Sequence, residues 1–404
     1  MPDSNVSANE VFPLLRLKHG EDRRISAGHL WAFSNEVDTV STPLTNFAPG
    51  DYCQLLSARD KFLGYAYVNP HALISARILS RDPRRQPGQS LIVHRLRVAQ
   101  SLRRALYERP YYRLAFGESD GLPGLVLDRF DDVVVGQTAT AGMEVRRAEI
   151  AAAVQKVVGA SAMVWKNDGS ARLLEQLPQY VDVAFGALPA ALELEESGVR
   201  FTVPFEAAQK TGWFFDQAMN RQALRKYVGG ARVLDVFSYV GAWGLGALRA
   251  GATEVTCVDS SANALQALQV NAANNGLKPQ LLRGDAFEVL QSLHAEGRRF
   301  DVVVIDPPAF IKRRKDLPKG EAAYKRLNQL ALQLLERDGI LVSCSCSYHL
   351  EAQHLLEAIQ RAARHLGRFV QVIEVGGQAP DHPLHPAIPE TRYLKAFFCR
   401  AVAE

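Results

Sequence analysis

Two different rhythms of apolar and polar positions divide this chain. Over residues 11–80, short apolar runs are broken by Gly, Pro and Asn. Tyr52-Cys53-Gln54-Leu55-Leu56 follows Pro49-Gly50-Asp51, and Phe62-Leu63-Gly64-Tyr65-Ala66-Tyr67-Val68 precedes Asn69-Pro70. Such runs predict a small β-barrel or sandwich. Residues 81–90 are polar and contain prolines, as a linker would, and an amphipathic helix is expected over 91–108. A hairpin around Arg129-Phe130-Asp131-Asp132, a helix over 145–158 and strands near 162–166 and 180–184 predict a compact α+β unit within 91–195.

From about residue 200 the rhythm changes. Strands are expected at 232–237, 254–258, 280–283, 301–305 and 340–346. Helices are expected at 243–250, 262–274, 286–295, 322–336 and 351–366. This alternation predicts a parallel sheet covered by helices on both faces over 200–404. Two last strands, near 369–375 and 392–399, lack a helix between them and predict an antiparallel pair at one edge.

The chain has 404 residues, room for two or three domains of roughly 150 residues. Its 47% apolar and 22% charged residues are ordinary for a globular protein and exclude collagen-like or disordered classes. No apolar run reaches the ~18 residues of a spanning helix, so no membrane partner is expected. Residues 1–10 carry no basic, apolar leader pattern and read as a frayed tail. Five scattered cysteines without a C-x-x-C pair predict a reduced, cytoplasmic protein without structural zinc. Net charge is only +4, but residues 1–105 hold 14 Lys and Arg against 9 Asp and Glu. A second basic run is Lys312-Arg313-Arg314-Lys315. Each is either a solvated face or a phosphate-contacting surface.

In such a sheet, ligands sit outside the carboxyl ends of the strands. Three acidic residues stand after three successive strands: Asp259, Asp285 and Asp306. Asp259 and Asp285 could instead cap the helices that follow. Gly241-x-x-Gly244-x-Gly246 is not the order of a dinucleotide site and lacks a phosphate-gripping lysine. Carboxylates suit ribose hydroxyls, an adenine amine and a cationic amino-acid head, so S-adenosylmethionine is the expected ligand; a pyrophosphate would need the opposite field. Asp306-Pro307-Pro308-Ala309-Phe310 is a stiffened loop that aims a carboxylate at the crevice. Cys344 and Cys346 share a face of the strand 340–346, with Cys346 nearer the ligand end. A nucleophilic thiolate there would need a pKa below the free value of about 8.5, and the sequence marks no residue that lowers it.

Seven stretches, in order, resemble the ribosomal large-subunit RNA methyltransferase I family, which modifies cytosine at C5. They are Gly28-His29-Leu30-Trp31-Ala32-Phe33-Ser34, Gly117-Glu118-Ser119-Asp120-Gly121-Leu122-Pro123-Gly124, Lys210-Thr211-Gly212-Trp213-Phe214-Phe215-Asp216-Gln217, Val236-Phe237-Ser238-Tyr239-Val240-Gly241, Asp306-Pro307-Pro308-Ala309-Phe310, Ser345-Cys346-Ser347 and Tyr393-Leu394-Lys395. The resemblance implies a PUA domain over 11–80, a central β-β-α-β-β domain over 91–195 and a class I, Rossmann-like methyltransferase domain over 200–404. It implies large-subunit (23S) ribosomal RNA as partner, Cys346 as nucleophile and Asp306 opposite it. Gln209, Asp235, Ser238, Tyr239, Gly241, Asp259, Asp285, Ala286 and Asp306 would surround the methyl donor, and Lys312, Arg313, Arg314 and Lys315 would hold RNA. One departure is Ala218, where the family carries Arg; Arg221 is the next candidate. Two other readings use the same residues. One is an exocyclic-amine RNA methyltransferase built on the Asp306–Phe310 loop, and the other is a non-catalytic RNA-binding assembly factor.

Overall fold

The computed structural model describes residues 11–205 and 208–403. The tail expected at residues 1–10 lies outside them. The chain divides into two compact units, Met1–Leu188 with Asp381–Thr391, and Pro189–Pro380 with Arg392–Glu404.

The first unit contains two five-stranded sheets. Strands β1 (Leu14–Arg16), β2 (Trp31–Phe33), β3 (Tyr52–Leu56), β4 (Phe62–Val68) and β5 (Ile74–Ser80) form one in the order β1-β3-β4-β5-β2, with helix α1 (Arg23–Ser26) between β1 and β2. A bridge from Leu17 to Val37 links the continuations of its two edge strands, as in a closing barrel. Helix α2 (Gln89–Leu106) then leads into β6 (Tyr111–Phe116), β7 (Leu125–Phe130) and β8 (Val133–Thr138). Helices α3 (Ala141–Glu144) and α4 (Arg147–Val158) precede β9 (Ala162–Asn167) and β10 (Tyr180–Phe185), and the sheet order is β10-β9-β8-β7-β6.

Buried polar groups tie these two sheets into one unit. Arg77 on β5 donates to Glu175 at 2.7 Å, and Asn69 and the Ala141 N–H also donate to that carboxylate. Trp31 donates to Glu118 at 2.9 Å. Arg77 and Glu175 are 8% and 6% exposed, so removing one partner strands a buried charge. Arg77→Met is expected to cost about 3–5 kcal/mol in urea unfolding of the full chain. A loss below about 1 kcal/mol would mean that water replaces the pair.

The second unit opens with a hairpin of β11 (Ala191–Glu196) and β12 (Val199–Pro204). The expected domain boundary, between 195 and 200, cuts through this hairpin; the unit begins at Pro189 instead. The hairpin goes with the second unit because its buried face (Leu192, Leu194, Phe201, Val203) packs on the helices there. Helix α5 (Ala218–Leu224) follows. Then come β13 (Arg232–Val236), α6 (Ala242–Arg249), β14 (Glu254–Asp259), α7 (Ala262–Asn274), β15 (Gln280–Arg283), α8 (Ala286–Ala295), β16 (Phe300–Ile305), α9 (Leu317–Leu334), β17 (Leu335–Ser345), α10 (Ala352–His365), β18 (Arg368–Gly376) and β19 (Lys395–Ala403).

The sheet order is β15-β14-β13-β16-β17-β19-β18, with β13 to β17 parallel and β19 antiparallel to both neighbours. Its central strands are buried on both faces, which is why they read as continuous apolar runs. Helices α8, α9 and α10 share one core with the sheet, including Leu290, Tyr324, Leu327 and Ile359. Chain order reverses between β13 and β16, the switch point where such sheets take ligands.

The expected single domain over 200–404 is interrupted. Asp381–Thr391, between β18 and β19, belongs to the first unit. There the Asp381 carboxylate accepts the Arg113 N–H at 2.8 Å and bonds His382 at 2.8 Å, while Arg103 donates to the Asp381 carbonyl. Asp381 and His382 are fully buried, so this is an anchored segment and not a loose loop.

Candidate active site at the switch point

The turn after β13 is held in an uncommon conformation. Phe237, Tyr239 and Gly241 have φ of 69°, 50° and 95°, so left-handed residues alternate with ordinary ones. Two of the three carry side chains, which costs roughly 1–3 kcal/mol each unless neighbours enforce the geometry. Here they do. The Phe237 and Ser238 N–H groups both donate to the Val258 carbonyl, and the Ser238 hydroxyl donates to the Asp235 carbonyl at 2.7 Å. The Tyr239 N–H donates to Asp259 at 2.9 Å. Ser238 is thus a brace whose hydroxyl is spent on backbone.

Asp235 is completely buried at the end of β13. The Gly244 N–H donates to its Oδ2 at 2.9 Å. A Cβ on Gly244 would lie 3.1 Å from that oxygen and 2.6 Å from Cys257 Sγ, so only glycine lets α6 approach this closely. Oδ1 of Asp235 is buried without a partner. Burial, with Asp306 and Asp259 nearby, pushes this carboxyl up to about 7.

Asp259 is anchored by Tyr239 N–H on one oxygen and Ser261 N–H on the other. It does not cap α7; Ser261 does, accepting from the Ala264 N–H. Asp285 does cap α8, accepting from Phe287 and Glu288 with Oδ1, and is exposed. Ala286, the first residue of that helix, is buried. Gln209 is exposed, and its N–H donates to the Tyr239 hydroxyl at 3.1 Å, which donates in turn to the Gly212 carbonyl.

Asp306 follows β16. Gln217 donates to its Oδ1 at 2.8 Å and Trp243 to its Oδ2 at 3.0 Å. Asn220 donates to the Gln217 carbonyl oxygen, which fixes that amide's orientation. Burial still outweighs these donors and pushes Asp306 up to about 6, with Asp216 adding to the rise. Cys346, after β17, has its sulfur 3.9 Å from the Pro307 carbonyl. Of the five cysteines it alone is not fully buried. Ser345 and Ser347 bond the hydroxyl of buried Tyr324, and Ser347 accepts from the Ile311 N–H. The strand end bearing Cys346 is therefore tied to the Asp306–Ile311 loop. Burial pushes the Cys346 thiol up to about 11; Lys210 pulls it down, and Asp306 and Asp216 oppose that.

The fold thus brings Asp235, Asp259, Asp306 and Cys346 to adjacent strand ends. Asp285 stands further along, after edge strand β15. Lys312, Arg313, Arg314 and Lys315 are exposed just beyond the proline loop, with Arg313 paired to Asp316. Arg221 does not stand in for the Arg missing at Ala218. It is buried, pairs with Glu196 through two nitrogens and stacks over Trp213. Gln217, Trp243 and Lys395 were not singled out from the sequence, although all three lie in or next to the quoted stretches.

A cationic ligand fits these residues. A buried orphan oxygen on Asp235 and two carboxyls raised by burial make a crevice that a sulfonium and an ammonium would neutralise. The ligand-free protein should show the strain. Folded Asp235 holds a proton between the unfolded value of about 3.9 and about 7, so its contribution to stability falls as pH rises through that window. Asp235→Asn should gain stability relative to the parent chain as pH rises across it in thermal unfolding. A pH-independent difference would locate the effect elsewhere.

A doubly covered sheet with carboxylates at its switch point and a glycine-bearing turn without phosphate grip defines a class I S-adenosylmethionine-dependent methyltransferase. The S-adenosylmethionine-dependent methyltransferase family model matches residues 162–398, and a PUA-like domain model matches 15–81. The ribosomal RNA large subunit methyltransferase I of Klebsiella pneumoniae subsp. pneumoniae is 36% identical over 401 residues, covering 98% of this chain and 100% of that one. That of Serratia proteamaculans is 36% identical over 395 residues, 96% and 99% of the two chains. The chain belongs to the ribosomal RNA large subunit methyltransferase I family, and its methyl donor is S-adenosylmethionine. Two solved structures share the fold at 20% identity. One, assigned as a SAM-dependent methyltransferase from Streptococcus mutans, has a TM-score of 0.80 and covers 96% of this chain and 100% of that one. The other, assigned as a methyltransferase and complexed with SAH, has a TM-score of 0.81 and covers 97% and 100%. Among the described residues, no helix is long and apolar enough to cross a membrane.

Proposed function

We propose that this chain methylates carbon 5 of a cytosine in large-subunit (23S) ribosomal RNA, in the cytoplasm, through a transient bond between Cys346 and C6 of the ring. The observation that carries the reading is the Cys346 sulfur against the Pro307 carbonyl, on the loop that begins with Asp306. S-adenosylmethionine supplies an electrophilic methyl group, and carbon 5 of cytosine is a poor nucleophile towards it. Sulfur adding at C6 turns the ring into an enamine with electron density on C5. Asp306, raised to about 6, can protonate N3 as this happens. C5 then takes the methyl group, and loss of the C5 proton to solvent water with expulsion of sulfur restores aromaticity.

Asp235, Asp259, Asp285 and the turn Phe237–Gly241 would hold the donor, with Gln209 and Ala286 beside them. The base must leave its stack to enter. The PUA-like domain and Lys312–Lys315 would hold the flanking RNA. Replacing those four residues by Ala should weaken RNA binding and flatten its log–log salt dependence by up to about 3. An unchanged slope would return them to plain solvation.

The reading is tested by nucleoside mass spectrometry of ribosomal RNA from cells with and without the gene. 5-methylcytosine lost from one large-subunit position supports it. A lost methyl on an exocyclic nitrogen would favour the amine chemistry of the Asp306–Phe310 loop, and no lost methyl would favour an assembly factor.

A further inference from the structure

Lys395 sits one strand over from the nucleophile. It is buried in β19, its backbone pairs with Ser345, and Cys346 is the next residue. Its Nζ donates to the Ser347 carbonyl at 2.6 Å and the Tyr393 carbonyl at 2.9 Å. Tyr393 is itself fixed by its hydroxyl on Asp216. The two carbonyls use two N–H bonds and leave one position on nitrogen, an N–H in the ammonium and a lone pair in the amine.

A buried lysine ordinarily needs a counter-ion. Among the described residues no carboxylate pairs with Lys395. Burial and Arg392 accordingly pull it down to about 8, and Cys346 is the group that pulls the other way. The ammonium is thus held by two backbone carbonyls and has no carboxylate partner among the described residues.

We propose that Lys395 takes the Cys346 proton as sulfur adds to C6 of the pyrimidine, and faces the thiolate as an ammonium when the adduct breaks. The proposal rests on the covalent reading above. In the forward step the S–H bond breaks and an N–H bond forms on Lys395. The sulfur electron pair forms the S–C6 bond, the C5=C6 pair shifts to C4=C5, the N3=C4 pair moves onto N3, and Asp306 protonates N3; the C4=C5 pair then forms the bond from C5 to the donor's methyl group as N3=C4 re-forms. On elimination the C5 proton passes to solvent water, the C5–H electron pair re-forms C5=C6, sulfur leaves C6 with its bonding pair as thiolate and takes its proton back from Lys395, and the N3 proton returns to Asp306. The charged groups around this strand end divide by sign. Asp306 and Asp216 oppose ionisation of the sulfur and Lys210 favours it, Cys346 in turn holds the Lys395 ammonium up, and burial keeps the Tyr324 phenol neutral.

Alkylation by iodoacetamide isolates this pair, because the other four cysteines are buried. In the full chain, the alkylation rate should show an inflection near 8, the Lys395 value. Lys395→Met should erase it, slow alkylation near neutral pH about tenfold and slow methyl transfer at least about 100-fold, with SAH affinity unchanged. Lys395→Arg keeps the charge but cannot accept the proton, so it should keep the fold and stay below about a tenth of parental methyl transfer. Parental alkylation and turnover in Lys395→Met would overturn the proposal, and so would full activity in Lys395→Arg. If the Met variant does not fold, the pH profile of the Arg variant decides. Turnover by Cys346→Ala would fell the covalent reading instead, while the alkylation profile still reads the Cys346–Lys395 pair.

Discussion

Cys346→Ala is expected to lower methyl transfer by on the order of 10⁴–10⁶-fold while leaving donor affinity nearly intact. The asymmetry follows from where the sulfur sits. Its hydrogen-bonding neighbour is the Pro307 carbonyl, and among the described residues it makes no bond to Asp235, Asp259 or the Phe237–Gly241 turn. On the proposed covalent route, removing it deletes the atom that activates the ring and leaves the donor crevice as it was. The cost to stability should be small, because the strand end is held by Tyr324, Ser345 and Ser347 and not by the thiol. Cys344→Ala is the matched control. That cysteine is fully buried, so its loss should cost packing and not turnover. Isothermal titration with SAH, beside single-turnover transfer, separates the two effects.

Asp306→Asn is expected to cost about 10²–10³-fold in turnover. Asn is nearly the same shape, but it cannot protonate N3. Its amide nitrogen would also face a donor, because both Asp306 oxygens accept, from Gln217 and from Trp243. Gln217 cannot simply rotate its amide to help, since its oxygen already accepts from Asn220. The mismatch should add roughly 1–3 kcal/mol of instability. The sign of the pH effect is also fixed. With Asp306 raised to about 6 and acting as an acid, the parental rate should carry a limb that falls as pH rises through that value. The variant should lack this limb, and its persistence would assign it to another group.

Much of this site was legible from the sequence because a parallel sheet gives its residues addresses. Once the period changed near residue 200, the strand ends followed, and with them Asp259, Asp306 and the address of Cys346; Asp235, inside its strand, came only with the family resemblance. Side chains that reach the site from outside the strand ends carry no such address. Gln217 arrives from the turn before α5, Trp243 from the buried first turn of α6 and Lys395 from an antiparallel strand. Position also did not separate roles. Asp259 and Asp285 both looked like ligands or caps, and only the hydrogen bonds distinguish the anchored one from the capping one. The β11–β12 hairpin was legible and passed over. Leu192 and Leu194 alternate with glutamates, and Ser197-Gly198, with φ of 55° and 76°, is a tight hairpin turn. The anchoring of Asp381–Thr391 had no local signal, since its partners Arg103 and Arg113 lie 278 and 268 residues away.

The covalent step is most directly tested by incubating the enzyme and methyl donor with an RNA fragment carrying 5-fluorocytosine, which cannot lose a proton from C5. The account predicts a stable protein–RNA adduct that peptide mass spectrometry maps to Cys346 and that Cys346→Ala does not form. Normal turnover on the unmodified fragment with no adduct on the fluorinated one, or an adduct at another residue, would contradict it.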